Sequence, residues 1–273
     1  MHLRSNHDYP SRRSAVLADN MVVTSHPLAA QAGLSMLAQG GNAVDAALAT
    51  AIALTVLEPT GNGIGSDAFA ILWDGSELHG LNASGRAPAA WNAARFAGLD
   101  EMPFRGWESV TVPGAVSSWV ALSDRFGKLP FETLFAPAIR YATDGFPVTP
   151  IIAALWQRAA LDLGDQPGFA ETFMPQGRAP QAGEYFASPG HARTLRLIAQ
   201  TKGRAFYEGE IAEEIADFAA KHGAALSLED LARHQPDWCG TISKPFDGVT
   251  LHEIPPNGQG IAALMGLGIL GQT

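Results

Sequence analysis

The chain has 273 residues, 47% of them hydrophobic and only 16% charged, with a formal net charge of -9 and one cysteine. That balance describes a globular core rather than a disordered segment, and the acidic surplus argues against nucleic acid or anionic membrane as a general partner, since phosphate binding needs a basic surface. The single thiol, Cys239, excludes an internal disulfide and a cysteine metal site, and reads as a small buried apolar group.

The first residues, Met1 to Ser14, are polar and carry no apolar signal-peptide core, so a flexible stretch over 1–13 and a cytoplasmic location are expected. Ser14 to Ser25 carries apolar clusters broken by Ala18-Asp19-Asn20 and reads as one or two short strands. His26-Pro27 opens a helix that runs to Gln39, because proline suits a first turn and Gly40-Gly41 stops it. Asn42 caps the next helix, with Asp45 three residues on at the positive helix end. That helix, Ala43 to Leu57, is apolar nearly all round and so should be buried, yet it is too short to span a bilayer.

A glycine run, Thr60-Gly-Asn-Gly-Ile-Gly-Ser-Asp67, leads into a hairpin of Ala68–Trp73 and Glu77–Asn82 with Asp74-Gly75-Ser76 at its turn. Helical patterns follow at Ala115–Phe126, Phe131–Thr143, Ile151–Asp162, His191–Thr201 and Ala205–Lys221. Gly164 to Gly190 reads as a surface excursion. Strands return at Trp238–Ile242 and Gly248–Ile254, and the Pro255-Pro256-Asn-Gly-Gln-Gly260 turn leads into a last apolar helix, Ile261–Leu270. The simplest arrangement pairs the terminal strands in a sheet packed on Ala43–Leu57, as one unit over 1–273. Its edges have no obvious cover, so the isolated chain is expected to be poorly soluble. An apolar helix running straight to Thr273 gives the impression of a chain cut short.

The glycine run lacks a Gly-Lys-Ser/Thr ending and precedes a strand, so it reads as a tight turn where backbone approaches a neighbour or ligand, not as a phosphate loop. Arg86, after Gly85 at the end of the second hairpin strand, suits bidentate capture of a carboxylate, although spacing alone favours a surface ion pair. Asp67 is either an amine-binding carboxylate or a cap. The histidines, among them His222, His234 and His252, show no metal-ligand spacing, and no Gly-x-Ser-x-Gly elbow occurs. Glu213-Glu214 and Glu229-Asp230 read as solvated helix faces.

Val22-Val-Thr-Ser-His-Pro27 with Gly40-Gly-Asn-Ala-Val-Asp-Ala-Ala47 resembles the opening of gamma-glutamyltransferases, also called glutathione hydrolases. Glu58-Pro59 with the glycine run, Val112-Pro-Gly-Ala115, Ala136-Pro-Ala-Ile139, Ala142-Thr-Asp-Gly-Phe146, Phe206-Tyr-Glu-Gly209 and the Pro255-Pro256 turn follow in that family's order. The resemblance implies an α+β fold of the N-terminal-nucleophile hydrolase type, four layers in αββα order, here in its large-subunit portion only. It implies a precursor that cuts itself, a small subunit opening on a threonine, and attack by that threonine on a gamma-glutamyl amide such as glutathione, with its own amine as base. No Thr-Thr pair of the family's cleavage point occurs in the chain, so no catalytic residue is assigned, and a C-terminal small-subunit segment is the expected partner. No cofactor or metal is implied.

The family places its carboxylate-binding arginine in Arg-Glu-x-Ala-Pro. Aligned on Ala87-Pro88, that position holds Ser84, and Arg86 falls two residues later. Ser84 and Arg86 are therefore the candidate substrate-binding residues. Two alternatives stand beside the gamma-glutamyl reading: an acylase-type amide hydrolase with a different acyl group, and a non-catalytic fragment or partner-binding subunit.

Overall fold

The computed structural model describes residues 15–271, so the stretch expected to be flexible at 1–13, Ser14 and Thr273 lie outside it. Helix α1, Pro27–Ala38, starts where His26 Nδ1 accepts the Leu28 N–H at 3.2 Å. Helix α2, Ala43–Leu57, starts in a capping box: the Asn42 side chain accepts from Val44 and Asp45, and the Asp45 carboxylate accepts the Asn42 N–H at 2.8 Å. With apolar residues on every face, α2 is buried along almost its whole length, as its pattern requires. Gly33 lets α1 lie close on it, since a Cβ there would overlap Thr50 Oγ1.

Strands β1, Ala68–Trp73, and β2, Leu78–Ala83, form the expected antiparallel hairpin, with Ala68 opposite Ala83. Beyond them come α3 (Ala115–Phe126), a 3-10 turn at Phe131–Phe135, α4 (Ala136–Asp144), β3 (Phe146–Pro147) and α5 (Pro150–Leu163). Next are α6 (Phe169–Phe173), β4 (Tyr185–Phe186), α7 (Pro189–Thr201), α8 (Arg204–Glu208), α9 (Glu210–Lys221) and α10 (Leu228–Ala232). The described chain closes with β5 (Asp237–Trp238), β6 (Ile242–Phe246), β7 (Val249–Glu253) and α11 (Gly260–Leu270). The main core gathers α1, α2, α3, α4, α5 and α7 around Ile52, Leu57, Val116, Phe135, Trp156 and Leu195. A smaller one sits under α9 and α10 around Val112, Ala212 and Leu231.

Several expectations are corrected. Residues 15–25 form no strand; Val16, Leu17 and Val23 are exposed, and among the described residues no strand pairs with them. The terminal strands do not join one sheet on α2. β1, β2 and β5 pair in that order and pack on α3, while β6 and β7 pair with each other, because Gly240 at φ 65 turns the chain between β5 and β6. Gly209 breaks the long helix expected over 205–221 into α8 and α9. The excursion at 164–190 is partly ordered, since β4 pairs with β3. Cys239 is half-buried rather than buried.

Candidate functional site

The end of β2 is positioned by backbone against backbone. A Cβ at Gly85 would overlap the Val112 carbonyl, and one at Gly114 would overlap that of Ala83, so only glycine lets these segments touch. The Val112 N–H donates to Arg86 O at 3.0 Å, and the N–H groups of Gly114 and Ala115 both donate to Ser66 O, at 3.1 and 2.8 Å. Asp67 Oδ1 accepts the Gly85 N–H at 3.2 Å. Asp67 is thus partly a cap, yet it is exposed, and its second oxygen receives no hydrogen bond among the described residues.

On this platform stand the two candidates from sequence. Ser84 Oγ donates to Asn257 Oδ1 at 3.0 Å, and Asn82 Nδ2 donates to the same oxygen at 2.9 Å. The Pro255–Gly260 turn is thereby tied to the end of β2. Arg86 is built differently. Its side chain is 88% exposed, and its one ion-pair neighbour among the described residues is Asp237, 4.0 Å away at the start of β5. The guanidinium is free to meet an incoming anion. The structure places the Asp67 carboxylate on the N–H of Gly85, the residue between Ser84 and Arg86.

Sequence reasoning missed Asn257, Asp237 and His234. Asn257 lay in a turn noted only as a motif, and Asp237 is a lone carboxylate with no pattern around it. His234 belongs to no metal-ligand spacing. Its imidazole stacks on Tyr207, ring centres 5.3 Å apart, and its Nε2 lies 2.9 Å from Ser117 Oγ. Tyr207 OH accepts the Ser117 N–H at 3.0 Å and donates to Pro113 O at 2.9 Å. Burial pushes the Tyr207 hydroxyl up to about 12, against the opposing hydrogen bond from Ser117. The His234 ring is held below its ordinary range, first by burial and then by the Arg86 charge, with Asp67 and Asp237 pulling the other way.

The glycine run itself stands open. A Cβ at Gly61 or Gly65 would find nothing within 4 Å, while Ile64 between them packs into the main core and the backbone of Gly114 and Ala115 meets the run at Ser66. The close approaches belong instead to Gly80, Gly85 and Gly114. Two cavities, of about 600 and 540 Å³, reach Ile64 in this run, and neither is lined by Ser84 or Arg86. Arg86 is exposed and Ser84 half-buried.

Among the described residues, one cluster has donor atoms close enough together for a cation: Asp74, Glu77 and His79 at the hairpin turn. Both His79 nitrogens are engaged, however. Arg125, which can only donate, lies 3.2 Å from Nδ1, so Nε2 carries the proton given to Asp74 at 2.8 Å. The cluster locks the turn. Asp230, expected on a solvated face, instead accepts the Ala89 N–H at 2.9 Å and closes a capping box with Ser227.

Comparison with known proteins places this geometry in context. A family model described as gamma-glutamyltranspeptidase matches residues 29–273. A glutathione hydrolase-like proenzyme of Bacillus subtilis (strain 168) is 34% identical over 94% of the chain and 50% of its own length. An oxamate amidohydrolase proenzyme of Klebsiella pneumoniae is 37% identical, again over 94% and 50%. Among solved structures, a cephalosporin acylase from Bacillus halodurans superposes with a TM-score of 0.91 at 52% identity, covering 98% of this chain and 52% of that one. The Helicobacter pylori gamma-glutamyltranspeptidase gives 0.86 at 26% identity, over 91% and 73%. The fold is the N-terminal-nucleophile hydrolase type expected from sequence, and the chain spans about half the length of the curated relatives it matches.

Proposed function

This chain belongs to the gamma-glutamyltranspeptidase family, and from that premise we propose that it forms the acyl-recognising half of an amide hydrolase and acyl transferase acting on gamma-glutamyl amides. The observation that carries the reading is Arg86: a guanidinium 88% exposed, presented at a strand end with a single weak ion-pair neighbour. Such a group binds a carboxylate through two parallel hydrogen bonds. Capture of the glutamyl α-carboxylate there would fix the acyl chain across the face bounded by Ser84 and Asn257. The bond to be broken then points away from β2, toward whatever supplies the nucleophile.

That nucleophile is an N-terminal threonine carried by a second segment. Its hydroxyl attacks the amide carbonyl while its own amine takes the proton. The amine product leaves, an ester remains, and water or an acceptor amine releases the acyl group. The faces available to the second segment are apolar. β1 is an edge strand that turns Phe69, Ile71 and Trp73 outward, and α11 exposes Ile261, Met265 and Ile269. The location we propose is cytoplasmic.

The test joins this chain to the coding sequence downstream of Thr273 and follows chromophore release from a gamma-glutamyl anilide. Arg86→Ala should raise KM about tenfold or more with a smaller change in kcat, as loss of a charged hydrogen-bonded pair demands. Unchanged kinetics would remove Arg86 from the site. Ser84 favours a second reading. It stands where the family's carboxylate arginine is expected and is already bound to Asn257, which suits an acylase acting on another acyl group. A panel of glutaryl, oxalyl and gamma-glutamyl amides separates the two.

A further inference from the structure

We propose that His234 is a further specificity-determining residue of this site, offering Nδ1 as a hydrogen-bond acceptor to an N–H of the acyl group whose carboxylate Arg86 holds. The inference rests on the reading of Arg86 given above and goes beyond it by naming the group that recognises the amine.

The tautomer follows from the neighbours. A hydroxyl has one proton, and Ser117 Oγ gives its own to Gly114 O at 2.7 Å. The 2.9 Å contact between Ser117 Oγ and His234 Nε2 must then be an Nε2–H donation. In the neutral ring Nδ1 is left as an acceptor, and it receives no hydrogen bond among the described residues. One ring face is covered by Tyr207. The groups charged toward the ring are Asp67 from the loop before β1, Asp237 from β5 and Arg86 from the end of β2. Ser117, which holds the ring, bonds to Gly114, and Gly114 is pressed against the Ala83 carbonyl and close to Gly85 N, so the ring stands beside the strand end that carries Ser84 and Arg86.

Burial and Arg86 both favour the neutral ring. An acceptor nitrogen beside two carboxylates suits an ammonium, while the guanidinium suits a carboxylate. Together they read an α-amino acid head and disfavour an acyl chain with a carboxylate alone. Protonation reverses the preference: an Nδ1–H donor repels an ammonium and welcomes a second carboxylate.

The experiment measures binding of L-glutamate and glutarate, which differ only in the ammonium, to the 273-residue protein by calorimetry. The expected result is tighter binding of L-glutamate by about tenfold, the size of one well-made hydrogen bond. His234→Gln, whose amide can reach Ser117 but leaves nothing at Nδ1, should bring the two ligands within about twofold. His234→Asn, whose amide stands in for Nδ1, should keep the preference. In the unaltered protein the preference should fade as pH drops and the ring protonates. A preference that survives in His234→Gln overturns the role of His234 while leaving Arg86 in place, provided Arg86→Ala weakens both ligands. If Arg86→Ala changes neither, or neither ligand binds at millimolar concentration, the site itself fails and this inference with it.

Discussion

Removing the Asp45 carboxylate should be among the most damaging single changes in this chain. Asp45 is fully buried. One of its oxygens accepts the Asn42 N–H at 2.8 Å, and both lie within 3.1 to 3.3 Å of the Lys128 and Leu129 N–H groups. It therefore caps α2 and holds the chain that leaves α3. Asp45→Ala strands three backbone donors and removes the anion at the positive end of α2. Counting one good charged hydrogen bond and two long shared ones gives a loss of about 4 kcal/mol. Asp45→Asn, which keeps one acceptor oxygen, should lose about half of that. In equilibrium urea unfolding, with a slope of about 3 kcal/mol/M for a chain this long, Asp45→Ala should lower the midpoint by about 1.3 M. A shift under about 0.3 M would mean that water satisfies the orphaned donors, and the reading of Asp45 as the joint between α2 and α3 would be wrong.

Gly85→Ala drives a Cβ into the Val112 carbonyl; it should cost about 1–3 kcal/mol and abolish Arg86-dependent binding of L-glutamate, measured on the same sample. The buried His26 ring caps α1 through Nδ1 and is held below its ordinary 6.5, mainly by burial against the opposing Glu58 charge. The unfolded chain takes up the proton first, so stability should fall as pH drops below 6.5, and His26→Asn, which caps without titrating, should flatten that limb of urea midpoint against pH. Glu184 is lowered from 4.5 to about 2, chiefly by its bond to Arg178. Its contribution is present above pH 4.5 and disappears as pH falls toward 2; hydrogen exchange around β3 and β4 should quicken across that window, and Glu184→Gln should remove the dependence. Phe69→Lys with Trp73→Lys should reduce self-association of the isolated chain in sedimentation velocity, and an unchanged profile would clear the β1 face of responsibility.

What was legible in the sequence was whatever local chemistry decides. Asn42 and Asp45 announce a helix start because an oxygen three residues from another can close a capping box whatever surrounds it. Ala43–Leu57 announces burial because no face of that helix is polar. The hairpin was readable from Asp74-Gly75-Ser76, since Asp74 accepts the Ser76 and Glu77 N–H groups at 2.7 and 2.9 Å. Failures came where a partner decides. Val22 and Val23 have strand-forming side chains, but β-branching confers only a surface that suits a ladder, and residues 15–25 meet none. The sheet was misplaced for a similar reason: a bend at Gly240 sends β5 to β2 and β6 to β7, and nothing local says which neighbour either will find.

The site divides along the same line. Arg86 and Ser84 could be nominated because they sit at a strand end beside a glycine. His234 and Asn257 could not, since they lie 148 and 171 residues beyond Arg86 and acquire meaning only when the fold sets His234 against Ser117 of α3 and the turn before α11 against the end of β2. One signal was in plain view. Gly80, Gly85 and Gly114 are each pressed against another backbone, and Gly85 lies between the two candidate residues, whereas a Cβ at Gly61 or Gly65 would meet nothing within 4 Å. In this fold a glycine that admits a neighbouring chain marks the site better than a run of glycines does, because close backbone contact fixes the position of Arg86 while an open loop fixes nothing.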